Sequence, residues 1–121
     1  PVRILIADHQ PVVRSAVRML LEERLELDVV GEAADGRELL AKLDRLRPDI
    51  ILLDQDLPGW TPTNLSEALR GLDHRPKVII LVGTHAETQQ TAGAASADAF
   101  VSKGDPPKRL LTAIRALSAE D

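Results

Sequence analysis

Short apolar runs and helically spaced apolar stripes alternate five times along the chain. The runs fall at residues 2–7, 28–33, 49–54, 77–82 and 99–102, each of strand length. Between them, apolar residues recur at helical spacing, most clearly as Val13/Val17/Leu20, Leu39/Leu43/Leu46 and Leu65/Leu69/Leu72. A last stripe, Leu110/Ile114/Leu117, follows Asp105-Pro106-Pro107, which reads as an acidic N-cap with prolines where a first helical turn tolerates them. The stretch 87–97 is different. It offers a core only alanines, threonines and Gly93, so it predicts the most weakly anchored helix of the set.

Strand–helix alternation of this kind implies right-handed crossovers and a parallel sheet covered on both faces. Five such units predict one domain over residues 1–121, an α/β flavodoxin-like doubly wound sheet of order 2-1-3-4-5 with helices on both faces. The central run shows where chemistry is placed. Four aliphatics, Ile50-Ile51-Leu52-Leu53, end on Asp54, and Gln55-Asp56-Leu57-Pro58-Gly59 stops the strand at once. The first run likewise ends on Asp8, and the fifth, with Phe100 inside it, ends on Lys103. In the order 2-1-3-4-5 the first and third strands are neighbours at the switch point, so Asp8 and Asp54 face each other there. Two acids and a lysine at three strand ends describe a site for a cation and a phosphoryl group. Asp54 as a plain turn acid and Lys103 as its surface partner are the simpler readings of the same positions.

Composition narrows the classes. Fifteen basic against nineteen acidic residues leave a formal charge of −4, which argues against nucleic-acid binding by this domain. Trp60 and Phe100 are the only aromatics, too few for a base-stacking platform. The absence of cysteine excludes disulfides and thiolate metal sites and suits a reducing cytoplasm. No apolar stretch approaches the roughly 20 residues of a membrane span, so no membrane partner is expected.

The tracts Arg3-Ile4-Leu5-Ile6-Ala7-Asp8, Val29-Val30-Gly31-Glu32-Ala33-Ala34-Asp35-Gly36 and Pro48-Asp49-Ile50-Ile51-Leu52-Leu53-Asp54 resemble receiver domains of bacterial two-component response regulators of the NarL/FixJ type. Asp54 before Leu57-Pro58-Gly59, an acid after the first strand, and Phe100 three residues before Lys103 carry the likeness together. The resemblance implies a cytoplasmic signalling module rather than an enzyme. Asp54 would accept a phosphoryl group from a sensor histidine kinase, with Lys103 pairing the phosphoryl oxygens, and the signal would pass to a DNA-binding output domain outside this chain. It implies magnesium on Asp8, Asp54 and the backbone carbonyl of Asp56. It also implies dimerisation or output-domain contact through the face of the fourth helix, fifth strand and fifth helix.

Three positions depart from the family pattern. The family carries two adjacent acids after the first strand; here His9 follows Asp8, and imidazole is a poor partner for a hard cation, so magnesium should bind weakly. Val82 stands where the fourth strand should end on a hydroxyl, with Thr84 two residues on, although Thr84-His85-Ala86-Glu87 also reads as a capping box. Trp60-Thr61-Pro62-Thr63 lengthens the loop after Pro58-Gly59. These changes keep open a degenerate receiver acting without phosphate. More remotely, Asp54-Gln55-Asp56 resembles the nucleophile-and-acid motif of haloacid-dehalogenase-like phosphohydrolases.

Overall fold

The computed structural model describes residues 1–83 and 97–119. Five parallel strands, β1 (Val2–Ala7), β2 (Leu27–Ala33), β3 (Ile50–Asp54), β4 (Lys77–Val82) and β5 (Ala99–Ser102), form one sheet of order β2-β1-β3-β4-β5. The described helices are α1 (Pro11–Glu22), α2 (Gly36–Leu46), α3 (Pro62–Arg70) and α4 (Pro107–Ser118). This is the expected doubly wound order. Two strands begin one residue away from expectation. β2 starts at Leu27, which pairs with Val2, and β3 starts at Ile50, because the Asp49 carboxylate turns aside to accept the Arg3 backbone N–H at 2.8 Å.

Strand alternation sorts the helices onto two faces. Leu5, Ala7, Ile51, Leu53, Val78, Ile80 and Val82 point to one side and are covered by Leu39 and Leu43 of α2 and Leu65 and Leu69 of α3. Ile4, Ile6, Ile50, Leu52, Ile79 and Leu81 point to the other and meet Leu21 of α1 and Leu110, Leu111, Ile114 and Leu117 of α4. The central strands are apolar on both faces because both are covered, so the continuous aliphatic runs mark them.

Local chemistry fixes the helix starts. Asp35 caps α2 by accepting the Glu38 N–H at 2.9 Å. Thr61 and Asn64 form a reciprocal capping box for α3, so the loop expected to run through Thr63 ends at Thr61. The N-cap expected at Asp105 is corrected: Pro106 holds the cap position and Pro107 opens α4. Asp105 instead accepts the Ser102 backbone N–H at 3.1 Å, its carboxylate turned back toward β5 while Pro107 takes the first helical position. The helix expected over 87–97 and the capping box at Thr84 lie outside the described residues, apart from Ala97, which packs against the α2/α3 face. No described helix is long and apolar enough to cross a membrane.

Candidate functional site

Ala7 pairs with Leu53, so Asp8, one residue past β1, and Asp54, the last residue of β3, emerge side by side. Both are buried, at 0% and 1% exposure. Two carboxylates out of water need donors and counter-charge, and here the chain supplies both. Asp54 Oδ1 accepts the Asp56 backbone N–H at 2.9 Å and the Lys103 ammonium at 3.2 Å. Asp54 Oδ2 accepts the His9 backbone N–H at 3.2 Å and the His9 imidazole through Nδ1. An ionised carboxylate only accepts, so Nδ1 carries the proton of that bond.

Asp8 is held differently. Its Oδ1 accepts the Gln10 backbone N–H at 2.8 Å, an Asx-type turn that directs the chain into α1. Its Oδ2 is buried and paired with the Lys103 ammonium 2.9 Å away. Lys103 follows β5 and is fixed by its backbone N–H to the Val82 carbonyl at 2.7 Å, while its ammonium also donates to Gln10 Oε1 at 3.2 Å.

The charges respond to these surroundings. Burial alone would push the Asp54 carboxyl up, but the His9 imidazole, the Asp56 and His9 backbone N–H groups and the Lys103 charge outweigh it and hold it below the usual aspartate range. Burial likewise pulls Lys103 down, and Asp8 and Asp54 overcome it and raise the ammonium above the usual lysine value. The resting site is therefore ionised throughout at Asp54 and Lys103.

Asp8, Asp54 and Lys103 thus converge as their strand ends imply, and His9 joins them. The Asp56 side chain is exposed while its backbone N–H donates to Asp54; among the described residues, the His, Asp and Glu side chains close enough to share a cation are Asp8, His9 and Asp54. Val82 is buried in the α2/α3 core, and Phe100 packs partly buried against the same core. Trp60 also rests there and donates from Nε1 to the Gln55 carbonyl at 3.3 Å, one residue from the nucleophile candidate.

Sequence reasoning missed Gln10, Arg14 and Glu32. Arg14 donates from Nη1 to the Asp8 carbonyl at 2.6 Å and from Nε to Glu32 Oε1 at 3.0 Å, while Arg18 Nε meets Glu32 Oε2 at 2.5 Å. The available signal was Arg14 and Arg18, four apart on α1, opposite an acid in a neighbouring strand. The fork fixes the turn that carries Asp8 and His9.

The donor set fits a divalent cation. Asp8 and Asp54 are buried carboxylates side by side, and the pair already binds positive charge in the form of Lys103. The third donor is a nitrogen, which suits hard magnesium less well than oxygen.

The family model for the response regulator receiver domain matches residues 4–115. The nitrate/nitrite response regulator NarL of Escherichia coli strain K12 is 32% identical over 120 residues, covering 98% of this chain and 56% of that protein. NarP of the same strain is 37% identical over 117 residues, covering 96% of this chain and 54% of that protein. The chain therefore spans about half the length of these relatives. The signal receiver domain of NarL from Mycobacterium tuberculosis superposes with a TM-score of 0.84 at 24% identity, covering 99% and 98% of the two chains, and at that identity it speaks for the fold alone. The strand-end acids, the lysine facing them and the matched span agree: the chain belongs to the response regulator receiver domain family.

Proposed function

We propose that residues 1–121 form one receiver domain that accepts a phosphoryl group on Asp54 from a sensor histidine kinase in the cytoplasm and relays the signal to a DNA-binding output domain outside this chain. The observation that carries this reading is the buried, ionised Asp54 at the end of β3, with Asp8 beside it and Lys103 3.2 Å from Oδ1. In the transfer an Asp54 oxygen bonds to phosphorus as the bond from phosphorus to the donor nitrogen breaks, and the nitrogen keeps the electron pair. The transition state spreads charge over three equatorial oxygens, so the chain's work is positioning and neutralisation. Lys103 meets those oxygens by following the charge from Asp54 Oδ1. Asp8 and Asp54, with the backbone carbonyl of Asp56, would hold the divalent cation, which supplies further neutralisation when bound.

Both Asp54 oxygens carry donors at rest, so a lone pair becomes available only when one donor moves aside. His9 is the freer one, with a ring 41% exposed against 20% for the Lys103 side chain. A haloacid-dehalogenase-like hydrolase is not supported, because the Asp56 carboxylate is exposed and stands outside the cluster. A degenerate receiver is favoured by Val82, a buried apolar residue where a hydroxyl is expected.

The deciding experiment is intact mass after incubation with acetyl phosphate and either Mg2+ or Mn2+. One labile phosphoryl group on the native domain and none on Asp54→Asn supports the proposal. Equal labelling of both proteins overturns Asp54 as acceptor, and no labelling of either favours the degenerate receiver.

A further inference from the structure

Asp8, His9 and Asp54 each offer one donor atom, and these atoms all lie within 4.8 Å of one another. Around a cation with bonds of about 2.1 Å, adjacent ligand atoms stand about 3.0–3.4 Å apart, octahedral or tetrahedral. His9 Nδ1 is 4.0 Å from Asp8 Oδ1 and in hydrogen-bond contact with Asp54 Oδ2, so one small ring rotation places all three donors around a common point. The ring is partly exposed and has room for that rotation, whereas both carboxylates are fixed by burial and by backbone N–H groups. Asp8 Oδ2 is buried and meets the Lys103 ammonium at 2.9 Å, so the pocket already gathers positive charge against its carboxylates.

We propose that this cluster is a mixed nitrogen–oxygen site in which His9 Nδ1 is a direct ligand, so that the domain prefers first-row transition dications to magnesium. The proposal deepens the receiver reading by naming the class of cation, and it rests on that reading only for the cation's use. Two carboxylates bring the charge that any dication needs. The imidazole supplies what magnesium exploits poorly and zinc exploits well. The ring reaches the cation as the Nε2–H tautomer, with the Nδ1 lone pair as ligand. The hydrogen bond to Asp54 Oδ2 is then broken, and the cation takes the place of that donor beside the carboxylate.

The test needs no phosphodonor, so its outcome is separate from whether Asp54 is phosphorylated. Zn2+, Mn2+ and Mg2+ are titrated calorimetrically into the native domain, His9→Ala and His9→Asp, with circular dichroism to confirm that each variant folds. Losing a partner that merely orients a ligand typically costs about 10–100-fold in affinity, and a direct ligand should cost at least as much. His9→Ala should therefore lose tenfold or more for Zn2+, and His9→Asp should move the Zn2+-to-Mg2+ preference toward Mg2+ by at least the same factor. In 15N-histidine-labelled native domain, one equivalent of Zn2+ should shift the His9 Nδ1 resonance, assigned by its loss in His9→Ala. Unchanged Zn2+ affinity in His9→Ala, or a shift confined to His74 or His85, overturns the proposal.

Discussion

The Lys103 ammonium lies 3.2 Å from Asp54 Oδ1, reaching across the end of β4 from the residue that follows β5. It also stands 2.9 Å from Asp8 Oδ2, so one side chain is the shared counter-ion of both buried acids. Val82, the last residue of the intervening strand, adds a carbonyl for the Lys103 backbone but no polar side chain. The charge balance of the resting site therefore depends on Lys103.

Lys103→Met should lower stability by about 1–3 kcal/mol, because it keeps the bulk but leaves two buried carboxylates without their cation. On the proposed reading a divalent cation between Asp8 and Asp54 would take over the same electrostatic task, so adding one should narrow the gap between native and variant. Urea unfolding of both proteins, with and without the cation, measures each effect. An undiminished gap in saturating cation would mean that the lysine stem's packing, and not its charge, accounts for the loss.

Which parts of this arrangement are legible in the sequence follows from how each residue is held. The strands are visible because burial on both faces makes them continuous aliphatic runs, and Asp8, Asp54 and Lys103 are visible because they end such runs. Their meeting then follows from strand order alone. Gln10 and the Arg14–Glu32 pair are not visible, because their partners depend on where α1 settles against β1 and β2, which no local pattern records. Asp105 misleads for a local reason: an acid before two prolines looks like a cap, yet the second proline opens α4. His9 is intermediate. Its position beside Asp8 marks it as a site residue, but that its ring contacts Asp54 is known only from the folded chain.

Gly36→Ala tests how tightly the loop beyond Asp54 is locked. Alanine ordinarily favours a helix over glycine by about 1 kcal/mol, and Gly36 is the first residue of α2. Here a Cβ would sit 2.3 Å from the carbonyl carbon and oxygen of Gly59 and 2.6 Å from the Trp60 nitrogen. These are backbone atoms and cannot rotate away, and the Gly36 N–H already holds the Pro58 carbonyl at 2.6 Å. Overpacking should win, with a net loss of about 1–3 kcal/mol. Because Trp60 is the only tryptophan, a shift in its emission should accompany the loss. A stabilised Gly36→Ala with native emission would show that this loop yields easily.

Acid sensitivity should separate the charge of Glu32 from its shape. Burial pushes the Glu32 carboxyl up, and the Arg18 and Arg14 guanidinium groups outweigh it, leaving it below its ordinary value of 4.5. A group with a depressed folded value contributes stability that is complete above its unfolded value, about 4.3, and is lost as pH falls through the folded one. Glu32→Gln keeps the size and one accepting oxygen but removes the charge. The native domain should exceed the variant in stability near neutral pH, and the difference should close as the pH falls below about 4. Denaturant midpoints from pH 7 down to pH 3 give this comparison directly. Since Arg14 also donates to the Asp8 carbonyl, the variant should further show faster hydrogen exchange at the Gln10 amide, which the Asp8 carboxylate holds at 2.8 Å. A difference independent of pH would trace the effect to packing. Unchanged exchange at Gln10 would show that the Asp8–His9 turn is held without help from the fork.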